Sequence, residues 1–194
     1  MSLTASVMMD LGTLAPAFSL PDVRTGKPVS PELTGRPLLV MFICVHCPYV
    51  IHVRHELARI GRDYAGKVDI LAISSNDAVA YPADSPANLK KMAEDLGFTF
   101  PLCYDESQDV AKAYTAACTP DIFLFDARHA LAYRGQLDGS RKSNDIPVDG
   151  RDLRAAMDAL LSGQTPSATQ IPSIGCNIKW REQPDYFERA LVKK

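Results

Sequence analysis

No apolar stretch of this 194-residue sequence approaches the roughly 18 residues that a membrane-spanning helix needs. No lysine or arginine precedes Arg24, so the charged start of a secretory signal peptide is missing. The net charge of −2 argues against nucleic acid or an anionic membrane as the main partner, because both favour a basic face. We therefore expect a soluble, cytoplasmic protein that acts on a small molecule or another protein. The alternative is a periplasmic protein whose leader, ahead of the MSL start, has been removed.

Cysteines are few, odd in number and irregularly spaced, unlike the framework of a disulfide-stapled secreted protein. The five are Cys44, Cys47, Cys103, Cys118 and Cys176. Most are expected to be reduced thiols. Cys103 lies in an apolar run and is expected to pack in the core. Cys118, two residues before Pro120, is either near the reactive site or, by side-chain alternation along a strand, directed away from the CVHC motif. Cys44 and Cys47 stand apart because they form a CVHC motif directly after the apolar run PLLVMFI.

The hydrophobic pattern predicts an α/β domain of three layers with a mixed sheet. The apolar runs PLLVMFI (37–43) and KVDILAISS (67–75) are typical of strands covered on both faces. Two antiparallel hairpins are predicted, a small one in AFSLPDV with GKPVS and a larger one in IFLFD with ALAYRGQ. Helices are predicted directly after the first strand and at 85–97, 106–116 and 151–163.

The chain is interpreted as one domain, 1–194, with a core at about 11–163. Residues 1–14 are expected to be loosely structured. The tail, 164–194, is expected to wrap back over the domain and bury Trp180.

The CVHC motif lies where a strand ends and a helix begins, which is where reactive groups gather in open α/β sheets. The positive end of that helix lowers the pKa of a thiol, so the motif predicts a nucleophilic thiolate at neutral pH. We expect Cys44 to attack a partner disulfide and Cys47 to release the partner, which links the pair and leaves Cys103 free. His46 is expected to add a positive charge that makes the pair more oxidising.

A zinc site is the other chemistry that a C-x-x-C pair supports. Its remaining ligands would be His52 and His55, which the turn before the helix would have to fold back onto the cysteines. Because C-x-x-C beside a βαβ pattern more often signals redox chemistry, we expect no metal and no cofactor other than a Cys44–Cys47 disulfide.

Several segments together resemble the thioredoxin superfamily, and within it the redoxin group that includes peroxiredoxin-like (AhpC/TSA-type) proteins. They span about residues 11–161 and read LGTLAPAFSLPDV, GKPVS, CVHCPYV, FPLCYDESQDVAKAY and CTPDIFLFD. The resemblance implies a thioredoxin-like three-layer fold with a mixed central sheet, an N-terminal β-hairpin extension and one inserted helix. It also implies that Thr119 and Pro120 form a cis-proline loop that faces the cysteines and presents the Thr119 backbone to an extended segment of a partner protein.

Two reactions fit this resemblance. Peroxiredoxins carry P-x-x-x-T-x-x-C, and with Cys47 at the peroxidatic position the threonine is replaced by Cys44 and the proline by Val40. The arginine expected before IFLFD is replaced by Thr119-Pro120. We therefore favour thiol–disulfide exchange with a thiol or disulfide protein and an external thiol reductant. The alternative is reduction of a small peroxide, in which Cys44 captures a sulfenic acid on Cys47.

Three further residues are auxiliary candidates. Arg134 or Arg141 would supply the positive charge that a peroxidase needs, although solvated loop positions are the commoner state of such arginines. Cys176 would act as an extra resolving thiol, with structural burial as the alternative.

A non-enzymatic redox sensor, which keeps the disulfide switch without turnover, is the third function class.

Overall fold

A five-stranded mixed sheet organises the part of the chain that the computed structural model describes, residues 3–191. The strands are β1 (Leu3–Ala5), β2 (Leu20–Pro21), β3 (Pro28–Val29), β4 (Leu38–Phe42), β5 (Asp69–Ser74), β6 (Leu102–Tyr104), β7 (Cys118–Thr119), β8 (Asp121–Phe125), β9 (Leu131–Tyr133) and β10 (Ile174–Asn177). The α-helices are α1 (Pro48–Asp63), α2 (Pro86–Asp95), α3 (Asp109–Ala113) and α4 (Arg151–Leu161), and two 3₁₀ turns cover Pro82–Asp84 and Asp185–Ala190.

The main sheet has the strand order β6-β5-β4-β8-β9. Strands β4, β5 and β6 run parallel, whereas β8 is antiparallel to both β4 and β9. Strands β2 and β3 form a separate antiparallel hairpin near the start of the chain. The predicted α/β class, the mixed sheet and both hairpins are therefore confirmed.

Strand β4 explains why the domain has three layers. All five of its residues are buried, and successive side chains enter opposite clusters. Leu39 and Met41 pack with the buried faces of α1, α2 and α4. Leu38, Val40 and Phe42 pack with α3, the hairpin and an aromatic group on the other face of the sheet. The continuous apolar run in the sequence thus reflects burial on both sides, as predicted.

The helices follow the predicted pattern, with one shorter than expected. Helix α2 is capped by Ser85, the residue before its first turn, whose hydroxyl accepts a hydrogen bond from the backbone N–H of Asn88. The helix predicted over 106–116 contains only Asp109–Ala113, because Gln108 takes a left-handed conformation with φ of 67° and starts the helix late. No helix within residues 3–191 is long and apolar enough to cross a membrane.

The two ends of the chain meet in a second sheet, with the order β1-β10-β7. The expectation of a loosely structured start is wrong for residues 3–5, because their backbone pairs antiparallel with β10; Met1 and Ser2 lie outside the described residues. The tail folds back over the domain as predicted, although Trp180 is only partly buried, and residues 192–194 lie outside the described part of the chain.

Helix α1 packs so closely on the segment before β6 that a side chain at Gly61 would collide with it. A Cβ atom at Gly61 would lie 2.7 Å from the ring of Phe100 and 2.8 Å from the hydroxyl of Thr99. Replacing a helical glycine with alanine normally gains about 0.5–1 kcal/mol. We expect Gly61→Ala to lower the free energy of unfolding instead, by about 1–3 kcal/mol, because overpacking outweighs that gain.

Urea denaturation measures this difference directly. Gly139→Ala is the matched control, because a Cβ atom there meets only Ile146, at an ordinary 3.6 Å. The control should stay within about 0.5 kcal/mol of the parent. A Gly61→Ala variant that is as stable as the control would contradict the packing described here.

Candidate active site

The CVHC motif bridges the end of β4 and the start of α1. Cys47 is the residue that precedes the first helical turn, and Pro48 occupies the first helical position, where its missing N–H costs nothing. Cys44 therefore lies before the helix rather than on it. The apolar run of β4 positions the first cysteine, and the proline at the helix start positions the second.

The loop before β8 faces both sulfur atoms. The Thr119–Pro120 peptide bond is cis, which confirms the prediction made from the resemblance. In its thiol form Cys47 donates to the Thr119 carbonyl oxygen at 3.1 Å, and the Thr119 hydroxyl lies 3.4 Å from the sulfur of Cys44. The two cysteines and the cis-proline loop thus form one buried cluster.

Two neighbouring thiols stabilise a thiolate on Cys47. Hydrogen bonds from Cys176 and then from Cys44 lower the pKa of Cys47, against the opposing effect of burial. The hydrogen bond to Cys47, burial and the charge of Asp84 raise the pKa of Cys44. The positive N-terminus of α1 also favours an anion at Cys47. These contacts favour Cys47, which lies at the helix start, over the predicted Cys44 as the thiolate, and the roles of the two thiols in the reaction stay predictions.

Cys176 belongs to this cluster although it lies more than a hundred residues along the chain. It follows Gly175 in β10, and its thiol donates a hydrogen bond to Cys47. This bond to Cys47, followed by burial, raises the pKa of Cys176. The sequence had placed Cys176 among the auxiliary candidates, and the structure brings it into direct contact with the most acidic thiol.

The remaining two cysteines have other surroundings. Cys103 lies in β6, two strands away from β4, and burial raises its pKa to about 12. The thiol of Cys118 points toward the carbonyl oxygens of Pro120, at 3.5 Å, and Ser173, at 3.9 Å. Burial, followed by the charge of Asp121, raises the pKa of Cys118. Both thiols are therefore expected to be poor nucleophiles near neutral pH.

A buried carboxylate, Asp84, holds the CVHC loop in place. One of its oxygens accepts the backbone N–H groups of Val45, at 2.8 Å, and His46, at 3.2 Å. The other accepts from the Asn76 amide and lies 2.6 Å from Nδ1 of His46. Sequence reasoning missed Asp84, because it follows a polar loop and nothing in its local pattern connects it with the motif.

His46 contacts Asp84 through Nδ1, at 2.6 Å, and also lies within 4.8 Å of the Cys44 sulfur. Its ring also lies parallel to that of Tyr81, with the ring centres 6.0 Å apart and the planes inclined by 5°. With its side chain 22% exposed, His46 is neither a plain surface residue nor a direct neighbour of the Cys47 thiolate among the contacts described. That His46 makes the pair more oxidising stays a prediction.

Three side chains at this site could hold a metal ion. The ligand atoms of Cys44, His46 and Asp84 lie within 4.8 Å of one another. Both oxygens of Asp84 already accept hydrogen bonds. A metal ion held by Asp84 and His46 would have to replace the hydrogen bond between these two side chains. The histidines of the zinc alternative lie elsewhere: Nε2 of His52 is 2.8 Å from the Ser140 hydroxyl, and His55 is exposed on α1.

The two candidate arginines donate hydrogen bonds to oxygen atoms outside the CVHC motif. Arg134 donates to the side-chain oxygen of Gln170 at 3.1 Å. Arg141 donates to the carbonyl oxygens of Asp138 and Ser140, at 2.9 and 2.8 Å. Arg141 also lines a small cavity of about 30 Å³ beside Pro120, which is large enough for a water molecule. These contacts do not direct either guanidinium toward Cys47.

The reactive sulfur atoms are closed off from solvent. Relative exposure is 0% for Cys47, 1% for Cys44 and 4% for Cys176. The cis-proline loop and β10 lie directly against Cys47. A partner sulfur therefore reaches Cys47 only after part of this cover moves.

Comparisons with known proteins identify the family and agree with the fold. The model of the AhpC/TSA family matches residues 11–134. The crystal structure of an uncharacterized conserved protein from Geobacillus kaustophilus superposes with a TM-score of 0.92 and 52% identity, covering 95% of this chain and 99% of that one. A hypothetical protein from Sinorhizobium meliloti 1021 gives a TM-score of 0.89 at 44% identity, over 94% of this chain and 100% of that one.

A curated relative carries a functional name. Thiol-disulfide oxidoreductase ResA from Geobacillus thermodenitrificans is 27% identical over 126 residues, which are 63% of this chain and 67% of that protein. The match to the Geobacillus kaustophilus structure extends over far more of the chain than the family model does. The similarity to that structure is therefore not confined to the sheet and the CVHC motif.

The lowered pKa of Cys47 predicts a thiolate that persists in mildly acidic solution. We expect the reduced protein to keep the ultraviolet absorbance of about one thiolate per chain down to about pH 6, well below the ordinary cysteine pKa of about 8.5. The absorbance should disappear as the pH falls further, through the lowered pKa. A titration of absorbance against pH measures this without requiring a reagent to reach the buried sulfur.

Cys47→Ser should remove this absorbance, whereas Cys103→Ala should leave it intact, because burial keeps Cys103 protonated. Loss of the signal in Cys44→Ser but not in Cys47→Ser would restore the opposite assignment of the two thiols.

Proposed function

The chain belongs to the AhpC/TSA family of the thioredoxin superfamily, and from that membership and the position of Cys47 we propose that it is a thiol–disulfide oxidoreductase. The observation that carries the proposal is the Cys47 sulfur at the start of α1, which accepts hydrogen bonds from two further thiols and faces the cis-proline loop. The name of the relative ResA supports the same reaction class.

The reaction begins at Cys47. Its thiolate attacks one sulfur of a partner disulfide, forms a mixed disulfide and releases the other partner sulfur as a thiolate, which takes up a proton. A second thiol of the cluster then attacks Cys47, forms an internal disulfide and releases the remaining partner thiol. The partner gains two electrons and the protein loses two. An external thiol reductant restores the reduced cluster.

Cys44 is one thiol able to perform the second step, in the opposite order to that predicted from the sequence. Its hydrogen bond to the Cys47 thiolate raises its pKa while Cys47 is free. Once Cys47 is held in a mixed disulfide, that anion no longer exists and Cys44 loses the main reason for its high pKa. Attack by Cys44 thus becomes easier when it is needed.

The substrate class and compartment extend this proposal. The partner is a thiol or disulfide protein, or a small disulfide, and the working compartment is the cytoplasm. An odd number of irregularly spaced cysteines suits a compartment where thiols stay reduced.

Peroxide reduction is the second candidate, and the burial of Cys47 is the observation that favours it. A sulfur with 0% exposure is reached more easily by a small peroxide than by a protein disulfide. Against it, Arg134 and Arg141 donate to loop oxygens rather than toward Cys47. Thiol–disulfide exchange therefore ranks first.

Rapid mixing of the reduced protein with a protein disulfide and, separately, with hydrogen peroxide distinguishes the two candidates. We expect exchange with the disulfide, whereas the rate with peroxide should resemble that of a free thiol. Cys47→Ser should slow the exchange by about 100-fold or more, because it removes the nucleophile.

Cys103→Ala is the matched control and should exchange at the parental rate, since Cys103 lies two strands from the motif. A peroxide rate far above that of a free thiol, together with slow exchange, would reverse the ranking.

A further inference from the structure

The C-terminal segment of residues 173–179, which we call the C-terminal arm, is built into the active site. Its strand β10 pairs antiparallel with β7, with Cys176 opposite Thr119 and Asn177 opposite Cys118. On its other side β10 pairs with β1, so its backbone is bonded along both edges. The arm is thus a central strand of its sheet rather than a loose tail.

A glycine allows the arm to approach the cis-proline loop this closely. A Cβ atom at position 175 would lie 2.0 Å from the carbonyl oxygen of Thr119 and 3.3 Å from the backbone nitrogen of Pro120. Only glycine fits against that backbone without moving it. The next residue is Cys176, whose thiol reaches Cys47.

Both ends of the arm are fixed by hydrogen bonds. Ser173 accepts from the backbone of Ser6 at 2.9 Å and donates from its hydroxyl to Gly135 at 2.8 Å. At the other end, the N–H of Lys179 donates to the side-chain oxygen of Asn76 at 2.8 Å.

Asn76 connects the arm with the CVHC loop. The amide group that accepts from Lys179 also donates to Asp84 at 2.6 Å, and Asp84 accepts from the backbone of Val45 and His46. One side chain therefore binds both the arm and the carboxylate that positions the motif. A displaced arm leaves the oxygen of Asn76 without this partner, so the loop and the arm share one bonding network.

The hydrogen bond to Cys47 raises the pKa of both Cys44 and Cys176, but the charged residues near these two thiols have opposite signs. The charge of Asp84 opposes a thiolate on Cys44, whereas the charge of Lys179 favours one on Cys176. Cys176 also lies on a strand outside the main sheet, so β10 can leave β7 while β4 stays paired with β5 and β8, and only its contacts with α1 have to break and re-form.

We propose that Cys176 is the resolving thiol of this site and that the C-terminal arm covers the thiols between turnovers. The proposal deepens the proposed function and rests on it. The arm leaves β7 to admit the partner disulfide, and Cys47 forms the mixed disulfide. When the arm returns, Cys176 attacks the Cys47 sulfur, the Cys47–Cys176 bond forms, and the bond between Cys47 and the partner sulfur breaks. The departing partner thiolate takes the proton that Cys176 gives up.

Peptide mapping after reaction with oxidised glutathione tests the linkage. In the full-length parent we expect Cys47 joined to Cys176, with Cys44 left as a free thiol. Cys176→Ser should accumulate glutathione on Cys47, detected by intact mass, and release it at least about tenfold more slowly than the parent, because the main resolving thiol is gone. Cys103→Ala, the matched control, should release glutathione at close to the parental rate, because Cys103 lies two strands away from β4.

The outcomes separate this inference from the proposed function. If glutathione attaches to Cys47 but leaves through a Cys44–Cys47 disulfide, and Cys176→Ser behaves as the parent, the role of Cys176 is overturned while the exchange activity stands. If Cys47 takes up no glutathione in any variant, thiol–disulfide exchange itself is overturned and this inference with it.

Gly175→Ala tests the covering role independently. The added Cβ atom should weaken the pairing of β10 with β7, so we expect the first step at Cys47 to become about three- to tenfold faster as the open state is populated more, and the resolving step to become slower. Gly139→Ala is the control, because its Cβ atom meets no backbone. Far-ultraviolet circular dichroism of both variants checks that the domain is intact. If Gly175→Ala remains folded and neither step changes, the arm does not gate the site.

Discussion

The register between two antiparallel strands brings the reactive groups together. Strands β4 and β8 pair with Phe42 opposite Asp121. The end of β4 and the start of β8 therefore lie next to each other, at the same end of the sheet. The CVHC motif follows one strand and the cis-proline loop precedes the other. Because alternate residues of β4 enter different hydrophobic clusters, a slip of one residue would exchange the two faces and is strongly disfavoured. Packing of the whole sheet thereby fixes contacts between Thr119 and two sulfur atoms.

Buried carboxylates surround this site, and each is compensated in a different way. Asp84 is bonded by two backbone N–H groups, an amide and a histidine, so its position is set by the loop that it holds. Asp121 follows the cis-proline loop, and burial raises its pKa to about 6, against hydrogen bonds led by the N–H of Ala117. Because the pKa of Asp121 is raised in the folded protein, its contribution to the free energy of unfolding is fully present only below the ordinary carboxyl pKa. That contribution is lost as the pH rises through about 6.

Local patterns in the sequence predict most of the main sheet and less of the site. Strand β4, helix α2 and the CVHC motif at a helix start follow from apolar runs, a serine cap and a proline, all of which act over a few residues. The roles of Cys44 and Cys47 depend on where α1 begins to within three residues, which a periodic pattern does not specify. The contacts of Asp84 and of β10 join residues far apart in sequence. Because β1, β7 and β10 are each two to four residues long, they leave no alternation to detect.

The position of β10 late in the chain determines the state of the active site while the protein is being synthesised. The thiols of the CVHC motif leave the ribosome well before Cys176, which lies more than a hundred residues further along the chain. Domains generally acquire structure from the N-terminal side during synthesis. Until residues 173–179 emerge, therefore, Cys47 lacks the cover of β10 and the hydrogen bond from Cys176, and the nascent chain carries an open sulfur. Closure of the site therefore requires residues 173–179 to have left the ribosome, and in every shorter nascent chain this thiol is unshielded by β10.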